Sequence, residues 1–288
     1  SSVKQIHTLL RMSSQEPKLM EETFWGQLTY GHTVENLTPV QEIYKVRAGE
    51  YVTFKNGELH LDFYKRFTSE KNYKNTDDEW IEALDERFKK AFHLILKSDP
   101  DHTHQVTLSG GLDSRMTAGQ FLDYPQDMNL ETYCMSQSGY DDQIISRKIA
   151  KRMGWGYHFT ALDDGSYYFN IKENLKLTEG LCNWAGAAHL LFLVKEHGLQ
   201  RKKLLYTGLI GDGILGGFNT KPELVKADFS SGAYSQKYLS KAEEMLRPFR
   251  GIYVSEEEFK MYSRVTNMTM NGPWSTEPYT LLVSPFHN

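Results

Sequence analysis

Residues 107–115 read Thr-Leu-Ser-Gly-Gly-Leu-Asp-Ser-Arg and join the apolar run of residues 105–109 to a helical pattern from about Ser114 to Leu122. A strand that ends on paired glycines and passes straight into a helix belongs to an α/β layout. In open sheets of that kind, ligands bind beyond the carboxyl ends of the strands. Glycines there let backbone N–H groups approach an anion, and the helix start adds its positive dipole end. The common phosphate loop, G-x-x-x-x-G-K-[ST], relies on a lysine, and this stretch has none. Ser109 and Ser114 offer hydroxyls to pyrophosphate oxygens. Asp113 is negative at neutral pH and cannot donate to phosphate, so its expected role is to hold a bridging cation, for which hard, oxygen-seeking Mg²⁺ is the choice.

The chain around this loop has 288 residues, enough for one large or two modest domains. Its composition, 40% hydrophobic and 24% charged, is that of an ordinary globular protein, and a net charge of -4 supplies no field for nucleic acid. Cys134 and Cys182 lie far apart without C-x-x-C spacing, which argues against a disulfide framework or a zinc site and for buried small hydrophobes. No apolar run reaches membrane-spanning length and the start lacks signal-peptide grammar, so a cytoplasmic protein with no membrane partner is expected.

Along the chain, residues 42–66 alternate as a hairpin with a type I′ turn at Asn56-Gly57. Thr76 and Glu79 form a capping box for a helix whose stripe is Trp80, Leu84, Phe88, Ala91 and Ile95. A boundary near residue 68 separates an N-terminal β/linker segment, 1–67, from a nucleotide-binding domain, 68–288. Apolar runs at 130–136, 157–162 and 203–208 then alternate with helices at about 142–153, 167–177 and 186–197. The fold class expected is α/β: a mostly parallel sheet flanked by helices, with a small N-terminal β-hairpin segment and a helical C-terminal part over 224–270. The apolar ending of residues 281–288 reads as a cut from a longer protein.

Ser-Gly-Gly-Leu-Asp-Ser resembles the pyrophosphate-binding PP-loop of the ATP pyrophosphatase superfamily, in the form found in the synthetase domain of the glutamine-hydrolysing asparagine synthetase family. Residues 204–218, LLYTGLIGDGILGGF, resemble that family's V-L-S-G-E-G-A-D-E-L-F-G-G-Y loop. Residues 134–162 resemble its adenosine-side strand, its D-x-x-x-A-x-x-x-A-x-x-x-G helix and the strand after it. The hairpin is similar to the family's interdomain segment, and Val283-Ser284-Pro285-Phe286-His287-Asn288 to its V-P-F-L-D. The resemblance runs from about residue 28 to 288 and is nearest to asparagine-synthetase-like proteins of uncertain substrate.

The resemblance implies an adenine nucleotide alpha hydrolase-like fold that uses ATP and Mg²⁺. A carboxylate is activated as an acyl-adenylate with release of pyrophosphate, and an amide then forms. Carried over, Ser109, Gly110, Gly111, Asp113 and Ser114 make the cradle, with Thr107 at the strand end. Asp113 and Asp212 are the catalytic residues and magnesium ligands, Thr207 and Gly208 lie against the nucleotide, and residues 133–136, Met135 among them, lie near adenine.

The departures are local. The family's glutamate after Ser-Gly is Leu209 here, and its Asp-Glu pair is Asp212-Gly213. A leucine can neither accept a proton nor attract an ammonium ion. The chain opens on Ser1-Ser2 without the family's N-terminal catalytic cysteine, and the family's later lysine lies beyond the last residue. The partners expected are a small-molecule carboxylate and a glutaminase domain that is separate or missing, with homo-oligomerisation open. Three readings follow: an ATP-dependent amide ligase, a non-catalytic nucleotide-binding module that has lost amidation, and PP-loop sulfur transfer to a nucleotide. The last needs a basic surface or a reactive cysteine.

Several residues invite plainer readings. Asp141 and Asp142 read as caps of the helix they begin. His102 and His104 read as no metal pair, and Lys221 as a solvated lysine. His158 is expected to pack at a strand end, His189 and His197 to face solvent in part, and Tyr167, Tyr168 and Phe169 to enter the core.

Overall fold

The computed structural model describes residues 5–13, 16–68, 74–99, 103–124, 129–182, 184–199, 203–216, 233–249, 251–253 and 255–287. Two compact units divide the chain: residues 1–71, 175–184 and 217–274 form one, and residues 72–174, 185–216 and 275–288 the other.

The second unit holds the sheet. Its strands are β3 (Thr103–Thr107), β4 (Asn129–Ser136), β5 (Gly156–Ala161), β6 (Leu204–Tyr206) and β7 (Leu281–Val283). They run in the order β5-β4-β3-β6-β7, with each neighbouring pair parallel. Successive strand residues face opposite sides, and the cores follow that alternation. Val106 and Tyr206 pack on Phe92, Ile95 and Leu96 of α3 (Asp77–Lys97). Tyr133 and Leu205 pack on Leu193 and Val194 of α7 (Trp184–Glu196) from the other face. This is the expected α/β sheet with helices on both sides.

Helix α3 carries the expected capping box, with the Thr76 hydroxyl accepting the Glu79 N–H and the Glu79 carboxylate accepting the Thr76 N–H. Of its stripe, Phe88, Ala91 and Ile95 are buried, whereas Trp80 and Leu84 stay exposed. The apolar run at 281–283 forms the edge strand β7, paired with β6 through Leu204↔Leu281 and Tyr206↔Val283. Phe286 then packs on Phe88 with ring centroids 4.7 Å apart.

Other side chains settle as follows. His104 is buried and bonds Asp99 at 2.9 Å, while His102 lies outside the described residues. His158 pairs with Glu131 at 2.6 Å and stacks on Tyr133. His189 and His197 are half-buried, and Cys134 and Cys182 are buried and free. The expected core placement of Tyr167, Tyr168 and Phe169 is corrected: Phe169 is 90% exposed and Tyr168 40%. They lie in a 3₁₀ turn, Ser166–Asn170, with no buried residue, because three residues per turn cannot aim consecutive aromatic rings at one core.

The first unit contains α1 (Gln5–Ser13), α2 (Glu21–Tyr30), the hairpin β1 (Glu50–Lys55) and β2 (Glu58–Phe63), and α9 (Leu239–Leu246). Asn56 and Gly57 both take positive φ, 55° and 86°, as a type I′ turn requires. Neither α1 nor α2 is signalled in the sequence. Helix α2 has no side-chain cap and carries Gly26 inside it, so packing of Tyr30 against Val34, Ala242 and Leu246 offsets weak local preference. Of the helical reading over 224–270, the described part shows α9, α10 (Glu256–Lys260) and a π-helix, Met261–Thr269. No helix among the described residues is long and apolar enough to cross a membrane.

A buried polar cluster links segments of this first unit. The Lys45 ammonium reaches Asn267 Oδ1 at 2.5 Å and Thr33 Oγ1 at 3.3 Å, and Arg47 lies 3.2 Å from Glu35. Burial lowers the Lys45 pKa to about 7 against the opposing charge of Glu35. An unfolded chain holds that proton to about pH 10.5, so above pH 7 unfolding takes up a proton and stability rises with pH. Close to pH 7 Glu35, lifted to about 7 by burial, opposes this in part, and from about pH 9 Cys182 does so, since burial lifts its thiol to about 11 and the unfolded thiol ionises first. Between pH 7 and pH 9 the wild type is expected to gain on the order of 2 kcal/mol that Lys45→Met lacks. Denaturant unfolding at the two pH values checks this, and equal slopes in the two proteins would refute it.

Candidate functional site

Three neighbouring strands deliver loops to one end of the sheet. β4 leads into α5 (Asp141–Met153), β3 into α4 (Leu112–Gly119), and β6 into α8 (Gly211–Gly216). Because the strands are parallel, all three helix starts lie beyond strand carboxyl ends, where such sheets bind ligands.

The β3–α4 loop is closed by its own hydroxyls. Ser109 N–H donates to Ser114 Oγ at 3.0 Å, the two hydroxyl oxygens lie 2.9 Å apart, and Gly111 N–H donates to Ser109 Oγ at 3.1 Å. The N–H of Gly110 is held by Asp142 Oδ1 at 2.8 Å. The reading of Asp142 as a cap of its own helix is thereby corrected: α5 has no side-chain cap, and the carboxylate reaches across to the loop instead. Asp142, Ala150 and Gly154 match the D-x-x-x-A-x-x-x-A-x-x-x-G pattern, with buried Ser146 in place of its first alanine. That pattern was the signal available in the sequence.

The β6–α8 loop approaches the start of α4 at van der Waals contact. A β-carbon on Gly208 would lie 2.5 Å from the carbonyl carbon of Asp113 and from the nitrogen of Ser114. One on Gly211 would lie 2.5 Å from Asp113 Cγ. The Asp113 carboxylate accepts the N–H of Asp212, and its pKa is raised, first by burial and further by the charge of Asp212, against the lowering effect of that hydrogen bond. The two aspartates, distant in sequence, are thus neighbours, with Asp113 half-buried and Asp212 exposed.

The remaining expected residues divide. Thr107 ends β3, its hydroxyl 3.4 Å from the Tyr206 carbonyl. Thr207 donates to the carbonyl of Val283 through N–H (2.8 Å) and hydroxyl (3.2 Å), and its own carbonyl accepts from Thr117 at 3.3 Å. Met135, half-buried near the carboxyl end of β4, packs against Tyr133, Leu193 and Leu205. Leu209 is half-buried, its carbonyl held by the Ser284 hydroxyl at 2.9 Å. Lys221 and residues 217–218 of the second motif lie outside the described residues.

Ile210 was not anticipated. It is buried and holds φ at 63°, a conformation costly for a β-branched residue. The motif that residues 205–218 resemble carries glycine at this position, the residue that takes such a φ without strain.

No curated protein matches the chain. The asparagine synthase family model matches residues 83–276, which span α4, α5 and α8 and the loops that lead into them. With more than half of its length matched and its α/β sheet bringing these loops together, the chain belongs to the asparagine synthase family, ATP-dependent ligases of the PP-loop superfamily.

Proposed function

We propose that this protein activates a small-molecule carboxylate with ATP, forming an acyl-adenylate and pyrophosphate, as a prelude to amide formation. The observation that carries the proposal is the meeting of Asp113 and Asp212, from the first turns of α4 and α8, beside the Ser-Gly-Gly loop. Two carboxylates on adjacent helix starts fit Mg²⁺, which is usually bound by one or two carboxylates with phosphate and water completing the shell. Mg²⁺ held there would neutralise charge building on the leaving pyrophosphate.

The other roles follow from the residues themselves. Ser109 and Ser114 present hydroxyls at the loop, and these must turn from one another to meet phosphate oxygens. Thr207 and Gly208 form a wall close enough to α4 to leave no room for water between them. A carboxylate oxygen attacking the α-phosphorus expels pyrophosphate and leaves the acyl group on AMP. Ammonia from a separate glutaminase, or an amine from another donor, then attacks the acyl carbon, and AMP departs.

That last attack releases a proton, and Leu209 gives it no acceptor where the family motif carries glutamate. Leu209 therefore favours a second reading, a non-catalytic nucleotide-binding module that has lost amidation. Calorimetry with ATP, with and without Mg²⁺, followed by pyrophosphate release on adding carboxylates, separates the readings. Magnesium-dependent ATP binding with carboxylate-dependent pyrophosphate release is the expected result. Binding without release would favour the second reading, and no ATP binding would overturn both.

A further inference from the structure

An aspartate in the first turn of a helix needs no explanation beyond the helix dipole, but the carboxylate of Asp142 is committed elsewhere. It accepts the Gly110 N–H at 2.8 Å, across 32 residues of sequence. The start of α5 that carries it is itself fixed. The Cys134 thiol lies 3.5 Å from the Asp142 carbonyl oxygen. The Gln143 side chain accepts the Gly139 N–H at 2.6 Å, and the hydroxyls of Ser146 and Tyr157, 3.1 Å apart, both reach the Gln143 carbonyl.

The loop meets this helix start without slack. A β-carbon on Gly110 would lie 3.1 Å from Ile145 Cδ1 and 3.2 Å from both the Asp141 carbonyl oxygen and Asp142 Oδ1. Because the peptide is planar, committing the Gly110 N–H to Asp142 also sets the direction of the Ser109 carbonyl. The Ser109 hydroxyl and the Gly111 N–H, bonded to each other at 3.1 Å, are left on a fixed stretch of backbone beside Ser114. A hydrogen bond to an ionised carboxylate is roughly twice as strong as a neutral one, which suits it to this task.

We infer that Asp142 is a positioning residue for the phosphate loop: through the Gly110 peptide it sets the arrangement in which Ser109, Gly111 and Ser114 meet pyrophosphate. The inference rests on the nucleotide-binding reading above. Asp142 touches no reacting atom; it acts through the loop.

Calorimetry on the whole chain with inorganic pyrophosphate and Mg²⁺, and separately with adenosine, tests it. Asp142→Ala is expected to weaken pyrophosphate binding about tenfold or more and to leave adenosine binding unchanged. Asp142→Asn, whose amide oxygen can accept the same hydrogen bond, should stay within about threefold of wild type. If Asp142→Ala fails to fold, Gly110→Ala, which presses on the same carboxylate, should give the same selective loss. Pyrophosphate binding by Asp142→Ala equal to or tighter than wild type would overturn the inference and leave the nucleotide reading standing. So would parallel loss of both ligands, the mark of a general structural role. Failure of the wild type to bind pyrophosphate or ATP would remove the nucleotide reading itself.

Discussion

Asp113→Asn is expected to weaken magnesium-dependent ATP binding by at least about a hundredfold, while the ligand-free protein becomes no less stable than wild type. The first half follows from charge. An amide cannot replace a carboxylate as a partner for Mg²⁺, and Asp212, the other carboxylate of the pair, is exposed to solvent. The second half follows from the direction of the Asp113 shift, which burial raises first and the Asp212 charge raises further. A carboxylate whose folded pKa is raised binds its proton more tightly in the native state, so its ionisation at neutral pH opposes folding. Asparagine removes that charge and keeps an oxygen to accept the Asp212 N–H. Calorimetry with ATP and Mg²⁺, paired with thermal unfolding of the free protein, checks both halves. Unchanged ATP affinity would refute the assignment of Asp113 as a magnesium ligand.

Gly208→Ala is expected to damage both the fold and the site. The added carbon would meet backbone atoms of Asp113 and Ser114 at 2.5 Å, and backbone cannot rotate aside as a side chain can. Either β6 or the start of α4 must move, and both carry the sheet core through Leu205, Tyr206 and Ala118. A loss of about 3 kcal/mol or more is expected, at the upper end of overpacking, together with loss of ATP binding. Gly211→Ala makes a contrast. Its clash is with the Asp113 side chain alone, with Cγ at 2.5 Å and Cβ and Oδ1 at 2.8 Å, so the stability loss should be smaller while ATP binding falls. Gly119→Ala, with nothing within 4 Å of the new carbon, should be harmless. Unfolding midpoints and ATP affinities of the three variants decide the matter. A Gly208→Ala protein as stable as Gly119→Ala would contradict the packing described.

The gap between Leu209 and the glutamate of the family motif bears on chemistry rather than on binding. Nothing in the Asp113–Asp212 pairing or the Ser-Gly-Gly loop depends on residue 209, whose backbone is tied to Thr207 and Ser284. Nucleotide binding and amide formation can therefore be lost separately, and measuring pyrophosphate release apart from amide product respects that division.

What could be read from the sequence is short in range. The hairpin turn at Asn56-Gly57 and the capping box at Thr76 depend on residues at most three apart. The alternation of apolar runs with helical stripes gave the α/β class, and the Ser-Gly-Gly-Leu-Asp-Ser loop fell between a strand and a helix as its neighbours implied. Each of these is set by local backbone preference or by periodicity, which a linear string carries in full.

The tertiary structure decided the rest. Strand β7 is too short to announce itself and exists because β6 offers it a partner. Helix α2 forms with an internal glycine because its neighbours bury Tyr30. Asp142 resembled an ordinary helix-start acid until strand order placed α5 beside the β3–α4 loop. The meeting of Asp113 with Asp212, and the close approach of Gly208 to the start of α4, likewise depend on β3 lying between β4 and β6. Strand order is a property of which surfaces bury one another best over the whole sheet, and no local pattern in the chain encodes it.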